Sequence, residues 1–212
     1  MKRLIVLMVG LLATGCATTP PASDPDDTAP TSPPAAAETS AAAAPTFDCS
    51  APSSEIESLV CTDTDMADLD SRLNSEYEQV LNTPGADKEA LEASQIDWHS
   101  QREECTQEAD PKGCVQQAYL TRLVELHIAD PATAAPTEAR YNCPDGEELT
   151  ARYYNDGDPQ AGVFTWEGNE VILFIEMSGS GARYGRDGVS FWEHQGEATF
   201  DYYGDSVVCE VA

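Results

Sequence analysis

The sequence predicts an α plus β protein in separate domains, a small disulfide-linked helical domain followed by a small antiparallel β-barrel. Three observations carry that prediction. Apolar residues recur at helical spacing from about 48 to 130; past a short Pro/Ala linker the texture changes to brief alternating or β-branched runs; and six cysteines divide four and two between these stretches.

The chain opens Met1-Lys2-Arg3, runs apolar from Leu4 to Leu12, and reaches Ala13-Thr14-Gly15-Cys16. A basic start, a short apolar stretch and small residues before the cut describe a secretory signal over 1–15, too short to span a bilayer permanently. Small residues just before a cysteine resemble the lipobox of bacterial lipoproteins, which implies that Cys16 is acylated and becomes the new N-terminus. Several acyl chains hold a protein on a lipid bilayer at about 0.8 kcal/mol per buried methylene. Ala17 after the cysteine, rather than Asp, points to the outer membrane, facing the periplasm, if the host has two membranes. Residues 16–46 are Ala, Pro, Thr, Ser and Asp with almost nothing to bury, and read as a disordered tether that its prolines keep extended.

The helical domain is placed at 47–130. Ser54-x-x-Glu57 is a capping-box start, and Met66, Leu69, Leu73, Tyr77, Val80 and Leu81 share a face. After Pro84-Gly85, Leu91, Gln95, Trp98 and Arg102 line a second run up to Cys105, and Tyr119, Leu123 and Leu126 a third. Three or four short helices with two disulfides suffice for a small stable domain. Trp98, Tyr77 and Tyr119 read as core, with Asp70 and Arg102 or Arg122 as candidate ion pairs.

Residues 131–138 form a linker, and 139–212 the barrel. Strand-like runs are Leu149 to Tyr154, Gly162 to Trp166, Glu170 to Ile175, Val189 to Trp192, Ala198 to Tyr203 and Val207 to Val211, separated by Asn155-Asp156-Gly157, Glu167-Gly168-Asn169 and Gly204-Asp205. So many short strands in about 70 residues suggest an antiparallel barrel. Setting Cys16 aside, an even number of cysteines in an exported chain argues for disulfides. Cys143 and Cys209 bracket the barrel and are expected to pair; for the other four, Cys49 with Cys61 and Cys105 with Cys114 is the pairing adopted. A four-cysteine zinc site is the rival use, but the spacing contains no C-x-x-C pair.

With 38 acidic and 11 basic residues the net charge is −27, which disfavours nucleic acid as a partner and raises encounter rates with strongly basic proteins. Nothing marks an enzyme: there is no nucleophile elbow, HExxH or P-loop, and His99, His127 and His194 lack ligand spacing. No cofactor or metal is called for.

The most informative run is Ser178-Gly179-Ser180-Gly181-Ala182-Arg183-Tyr184, followed by Phe191-Trp192-Glu193-His194-Gln195-Gly196-Glu197-Ala198. Small residues ahead of Ala-Arg-Tyr make a poor core strand and a good protruding loop, whose closing tyrosine can anchor it to the sheet. Together with Tyr141-x-Cys143 and the final Cys209, these motifs resemble the membrane-bound inhibitors of c-type lysozyme (the MliC/PliC family) over about 141 to 211. The resemblance implies an eight-stranded antiparallel barrel, a c-type lysozyme as basic partner, and a loop serine and nearby lysine pushed into the enzyme cleft. By position in the Ser-Gly-x-x-Tyr core, the serine is Ser180 and the tyrosine Tyr184. The lysine position holds His194.

That departure matters because lysozyme works with two carboxylates, between which a donor would block substrate and both groups. Histidine is a full donor only when protonated, so inhibition is expected to weaken as pH rises through the His194 titration. Arg183 either holds the loop by bonding backbone carbonyls or meets the partner directly. The helical stretch has its own likeness: Phe47-Asp48-Cys49, Glu55 through Cys61, Leu69-Asp70-x-x-Leu73-x-x-x-Tyr77, Gln95-x-x-Trp98-x-x-x-Arg102-x-x-Cys105 and Cys114 with Tyr119 and Arg122 resemble the LprI-type domain, a family that contains a lysozyme inhibitor of lipoprotein type. The competing reading of the whole chain is a non-catalytic cell-envelope binding module with no lysozyme target.

Overall fold

The computed structural model describes residues 45–212, without the side chain of Asp145. The expected signal peptide at 1–15, Cys16 and residues 17–44 of the expected tether lie outside them. Thr46, assigned to the tether from sequence, is pinned to the helical core, its N–H and hydroxyl both donating to Asp70 Oδ2 at 2.7 and 2.8 Å.

Four helices come first: α1 (Glu55–Thr62), α2 (Thr64–Asn82), α3 (Lys88–Glu104) and α4 (Pro111–Ala129). Each starts at a residue able to bond the orphan amides of the first turn: Ser54, Asp63, Asp87 and Asp110. The capping box is offset by one residue. Ser54 Oγ accepts from Glu57 N as expected, but the Glu57 carboxylate reaches back to Ser53, at 2.5 Å to its N–H and 2.7 Å to its hydroxyl.

Ile56, Val60, Met66, Leu73, Val80, Leu91, Trp98, Val115, Tyr119, Leu123 and Leu126 form one buried cluster. Inside it the anticipated ion pair takes another form. Tyr119 stands between the charges, its hydroxyl donating to Asp70 Oδ1 at 2.8 Å and accepting from Arg102 Nη1 at 2.9 Å. The Arg102 guanidinium lies over the Trp98 and Tyr119 rings, where stacking suits a weakly hydrated cation. Arg122 turns to Gln95, Ser94 and Glu125 instead. The buried Tyr119 hydroxyl bridges the two groups in place of a direct carboxylate–guanidinium contact.

The second region is a closed antiparallel barrel of β1 (Thr137–Asn142), β2 (Glu148–Tyr154), β3 (Ala161–Trp166), β4 (Asn169–Glu176), β5 (Ala182–Arg186), β6 (Val189–His194), β7 (Glu197–Tyr202) and β8 (Asp205–Val211), each paired with its chain neighbours. Alternation alone marked six of these. β1 was invisible to it because only Tyr141 is buried, and β5 because Ala182 and Gly185 leave too few large side chains to show a period. Ala182-Arg183-Tyr184, the end of the run expected to protrude as a loop, is β-strand: all three pair with β6, and Arg183 and Tyr184 with β4 as well.

Phe164, Phe191 and Phe200 fill the barrel, with ring centroids 4.6 Å apart for Phe164 and Phe191. The seam between β1 and β8 is short, pairing only Tyr141 with Val211 and Asn142 with Glu210, and the Cys143–Cys209 disulfide reinforces it. Two further disulfides join Cys49 to Cys61 and Cys105 to Cys114. The β2–β3 connection touches the helices: Arg72 pairs with Asp158 at 2.9 Å, and His127 Nε2 meets Asp156 at 3.2 Å.

Candidate functional site

The loop between β4 and β5 carries Met177, Ser178, Gly179, Ser180 and Gly181, all exposed. Its base is closed by the cross-strand neighbours Glu176 and Arg183, whose carboxylate and guanidinium Nε are 2.7 Å apart. Among the described residues the Arg183 side chain makes this pair and no hydrogen bond to a backbone carbonyl. A half-exposed pair of this kind contributes at most about 1 kcal/mol, so it orients more than it stabilises. Tyr184 points the other way, into the core against Phe164 and Phe191, and anchors the strand that carries the loop.

The loop leans onto β6. Gly181 has φ +71, and a Cβ there would sit 2.0 Å from the Glu193 carbonyl oxygen and 3.2 Å from His194 Cα. Both conditions require glycine: the left-handed backbone and backbone-to-backbone contact. Ser180 gives its carbonyl to two donors, the Trp192 indole Nε1 at 3.1 Å and the Ser178 hydroxyl at 2.5 Å.

His194 ends β6 at a two-residue turn, Gln195-Gly196, in which both residues have positive φ, at 55 and 89. Such a turn matches the twist of the strands it joins and sets His194 opposite Glu197 at the hairpin tip. Strand alternation puts Trp192 and His194 on the same outward face, and their rings stack 5.5 Å apart with 4° between planes. The structure thus brings Ser180 and His194 to the same end of the barrel, although fourteen positions separate them in the chain. Between them stands Trp192, which the sequence showed only as part of a motif; the i, i+2 spacing to His194 was the signal available.

Beneath this edge, Glu193 points inward beside a pair of tyrosines whose hydroxyls are 3.0 Å apart, Tyr141 and Tyr153. Burial pushes the hydroxyls of Tyr141, Tyr153 and Tyr184 above the ordinary tyrosine value. These hydroxyls therefore stay neutral at physiological pH.

Two family models divide the chain between them. Residues 49–140 match the lysozyme inhibitor LprI, and residues 141–208 the membrane-bound lysozyme-inhibitor of c-type lysozyme, MliC. Both families are lysozyme inhibitors, which sets the class of protein. Lipoprotein LprI of Mycobacterium tuberculosis (strain ATCC 25618 / H37Rv) and of Mycobacterium bovis are each 44% identical to this chain over 214 residues, covering all of it and all of the relative. The chain belongs to the lipoprotein LprI family. A membrane-bound lysozyme inhibitor of C-type lysozyme from Cupriavidus necator is 40% identical over 60 residues, 28% of this chain and 48% of that protein. A solved structure of Pseudomonas aeruginosa MliC in complex with hen egg white lysozyme is 28% identical, covering 37% of this chain and 87% of that one, with a TM-score of 0.32.

Proposed function

We propose that this protein is a non-catalytic inhibitor of c-type lysozyme, held at the cell envelope by an acylated Cys16, that inserts the Ser180 loop and the His194 hairpin tip into the enzyme's cleft. The observation that carries the reading is the adjacency of the two elements: Gly181 lies against the backbone of Glu193 and His194, so the loop and the tip form one projecting edge. Family membership supplies the class of target. The net charge of −27 favours encounter with a basic enzyme. In this reading Ser180 and His194 offer donors toward the enzyme's carboxylates, while Ser178, Gly179 and Gly181 shape the loop, Arg183 fastens its base and Tyr184 seats it in the core.

Clearing of suspended cell walls by c-type lysozyme, measured with graded amounts of the mature protein, tests this directly. Inhibition is expected to weaken as salt rises, because steering between unlike charges is screened beyond about 8 Å at physiological ionic strength. Gly181→Ala should weaken it by roughly tenfold or more by moving the loop off β6. An intact, disulfide-bonded protein without effect at any salt would leave the envelope-module reading in its place.

The histidine makes a separate prediction. Histidine is a full donor only when protonated whereas lysine keeps its charge at about pH 8, so His194→Lys should inhibit more tightly than the natural protein there. Equal potency of the two proteins at that pH removes His194 from the mechanism.

A further inference from the structure

We propose that Trp192 is the positioning residue of this edge, a clamp that fixes the Ser180 loop and the His194 side chain relative to each other before any partner arrives. The inference rests on the inhibitor reading for its function but not for its geometry.

Trp192 is 43% exposed, whereas Trp98 is 6% exposed in the helical core and Trp166 packs against the barrel core. An outward tryptophan gives up most of the benefit of burying its large apolar surface, so its position calls for another cause. Its two ends supply one. The indole N–H donates to the Ser180 carbonyl at 3.1 Å, and the ring lies flat against the His194 imidazole, 4° from parallel. One side chain therefore touches both arms of the candidate site.

What it does to Ser180 is specific. With Trp192 and Ser178 both donating to the same carbonyl, the Ser180 peptide plane is fixed from two directions. The Ser180 hydroxyl makes no hydrogen bond among the described residues and remains available to a partner. Beyond Gly181, whose backbone packs against Glu193 and His194, little else restrains the tip: Gly179 has open space where a Cβ would be, and Met177 is fully exposed. A five-residue loop holding two glycines would otherwise sample many backbone states, and ordering them on binding would cost affinity. On the other arm, stacking limits the imidazole to one plane, which aims its ring nitrogens instead of leaving them to rotate.

Two variants of the full mature protein separate the contacts. Trp192→Phe keeps a ring for His194 but removes the N–H, while Trp192→Ala removes both. Backbone ¹⁵N relaxation of the free protein reads the loop without any enzyme. Order parameters at Ser178 to Gly181 should fall from rigid values near about 0.85 toward about 0.6 or below in Trp192→Phe, with the rest of the barrel unchanged. Inhibition by Trp192→Phe should fall about tenfold, and by Trp192→Ala further still. The stacking half has its own signature at fixed pH: the His194 ring-proton resonances, displaced by the indole ring current in the wild type, should move toward solvent-exposed values in Trp192→Ala. Loop order unchanged in Trp192→Phe overturns the clamp, as does a disordered loop that inhibits as well as wild type. A wild-type protein that leaves lysozyme untouched overturns the inhibitor reading alone, and the order parameters then decide the clamp.

Discussion

The helical region and the barrel solve the same problem, a core too small to be secure, by opposite means. In the helices a polar relay runs through the centre, from Thr46 to Asp70 to the Tyr119 hydroxyl to Arg102, wrapped by Trp98 and stapled at the edges by two short-range disulfides. In the barrel the centre is aromatic, Phe164, Phe191 and Phe200, and a single long-range disulfide closes the seam. Helices satisfy their own backbones and need something directional to fix how they pack, which buried hydrogen bonds supply. A closed sheet already has its neighbours fixed by pairing, so its interior can be apolar and its polar groups are released to the rim. The difference explains why the candidate site lies at a barrel end: the rim can carry exposed, unpaired donors without disturbing the fold.

The largest effect expected from this contrast concerns the disulfides. Removing Cys143–Cys209, which spans 66 residues, should destabilise the barrel by about 4 kcal/mol on the chain-entropy model, against about 2.5 kcal/mol for Cys105–Cys114, which spans 9. Denaturant unfolding of the paired Cys→Ala variants measures both, and equal losses would mean that closure is not what secures the barrel.

Next come the two tyrosines. Tyr119→Phe leaves Asp70 and Arg102 facing a buried gap and should cost about 2 to 3 kcal/mol. Tyr184→Phe removes a hydroxyl that meets Asn155 only at 3.5 Å, and should cost under about 0.5 kcal/mol. If the two variants unfold alike, the relay is not the organising feature of the helical core.

The smallest effect is the response to acid. In the helical region Asp48, held by Ser50, Glu57, held by Ser53, and Asp63, held by Lys112, all have carboxyl pKa values below the ordinary range. A depressed folded value means stabilisation that is complete above the unfolded carboxylate range near about 4 and is lost as pH falls through the folded values. In the barrel Glu167 runs the other way, raised by desolvation and then by its neighbour Glu147, so the folded state takes up its proton more readily and gains stability as pH falls. Hydrogen exchange followed region by region from pH 5 to pH 3, corrected for intrinsic rates, should show protection falling first in the helices. Uniform loss would show that these surface carboxylates do not distinguish the two regions.

Reading the chain in order made the local part of this plain and left the rest dark. Caps, the helical faces of α2 and α4, and six of eight strands are each encoded within a few residues, by side chains whose preference does not depend on distant neighbours. β5 shows where such reading stops. Gly185 and Ala182 argue locally against a strand, and only pairing with β4 on one side and β6 on the other overrides them. The relay shows the same limit, since sequence placed Tyr119 in the core and offered Asp70 with Arg102 or Arg122 as ion pairs, but could not say that the hydroxyl would come between the charges.

By itself, then, the sequence determined the two-part α plus β organisation, the acidic composition, and the glycine-rich run from Ser178 to Tyr184 with His194 beyond it. Those follow from composition, periodicity and motif, which are written in consecutive residues. The tertiary structure alone decided that Gly181 meets the Glu193 carbonyl, that Glu176 takes Arg183, and that Trp192 joins Ser180 to His194. Cross-strand register sets those contacts, and register is fixed only when every strand of the barrel has found its neighbour.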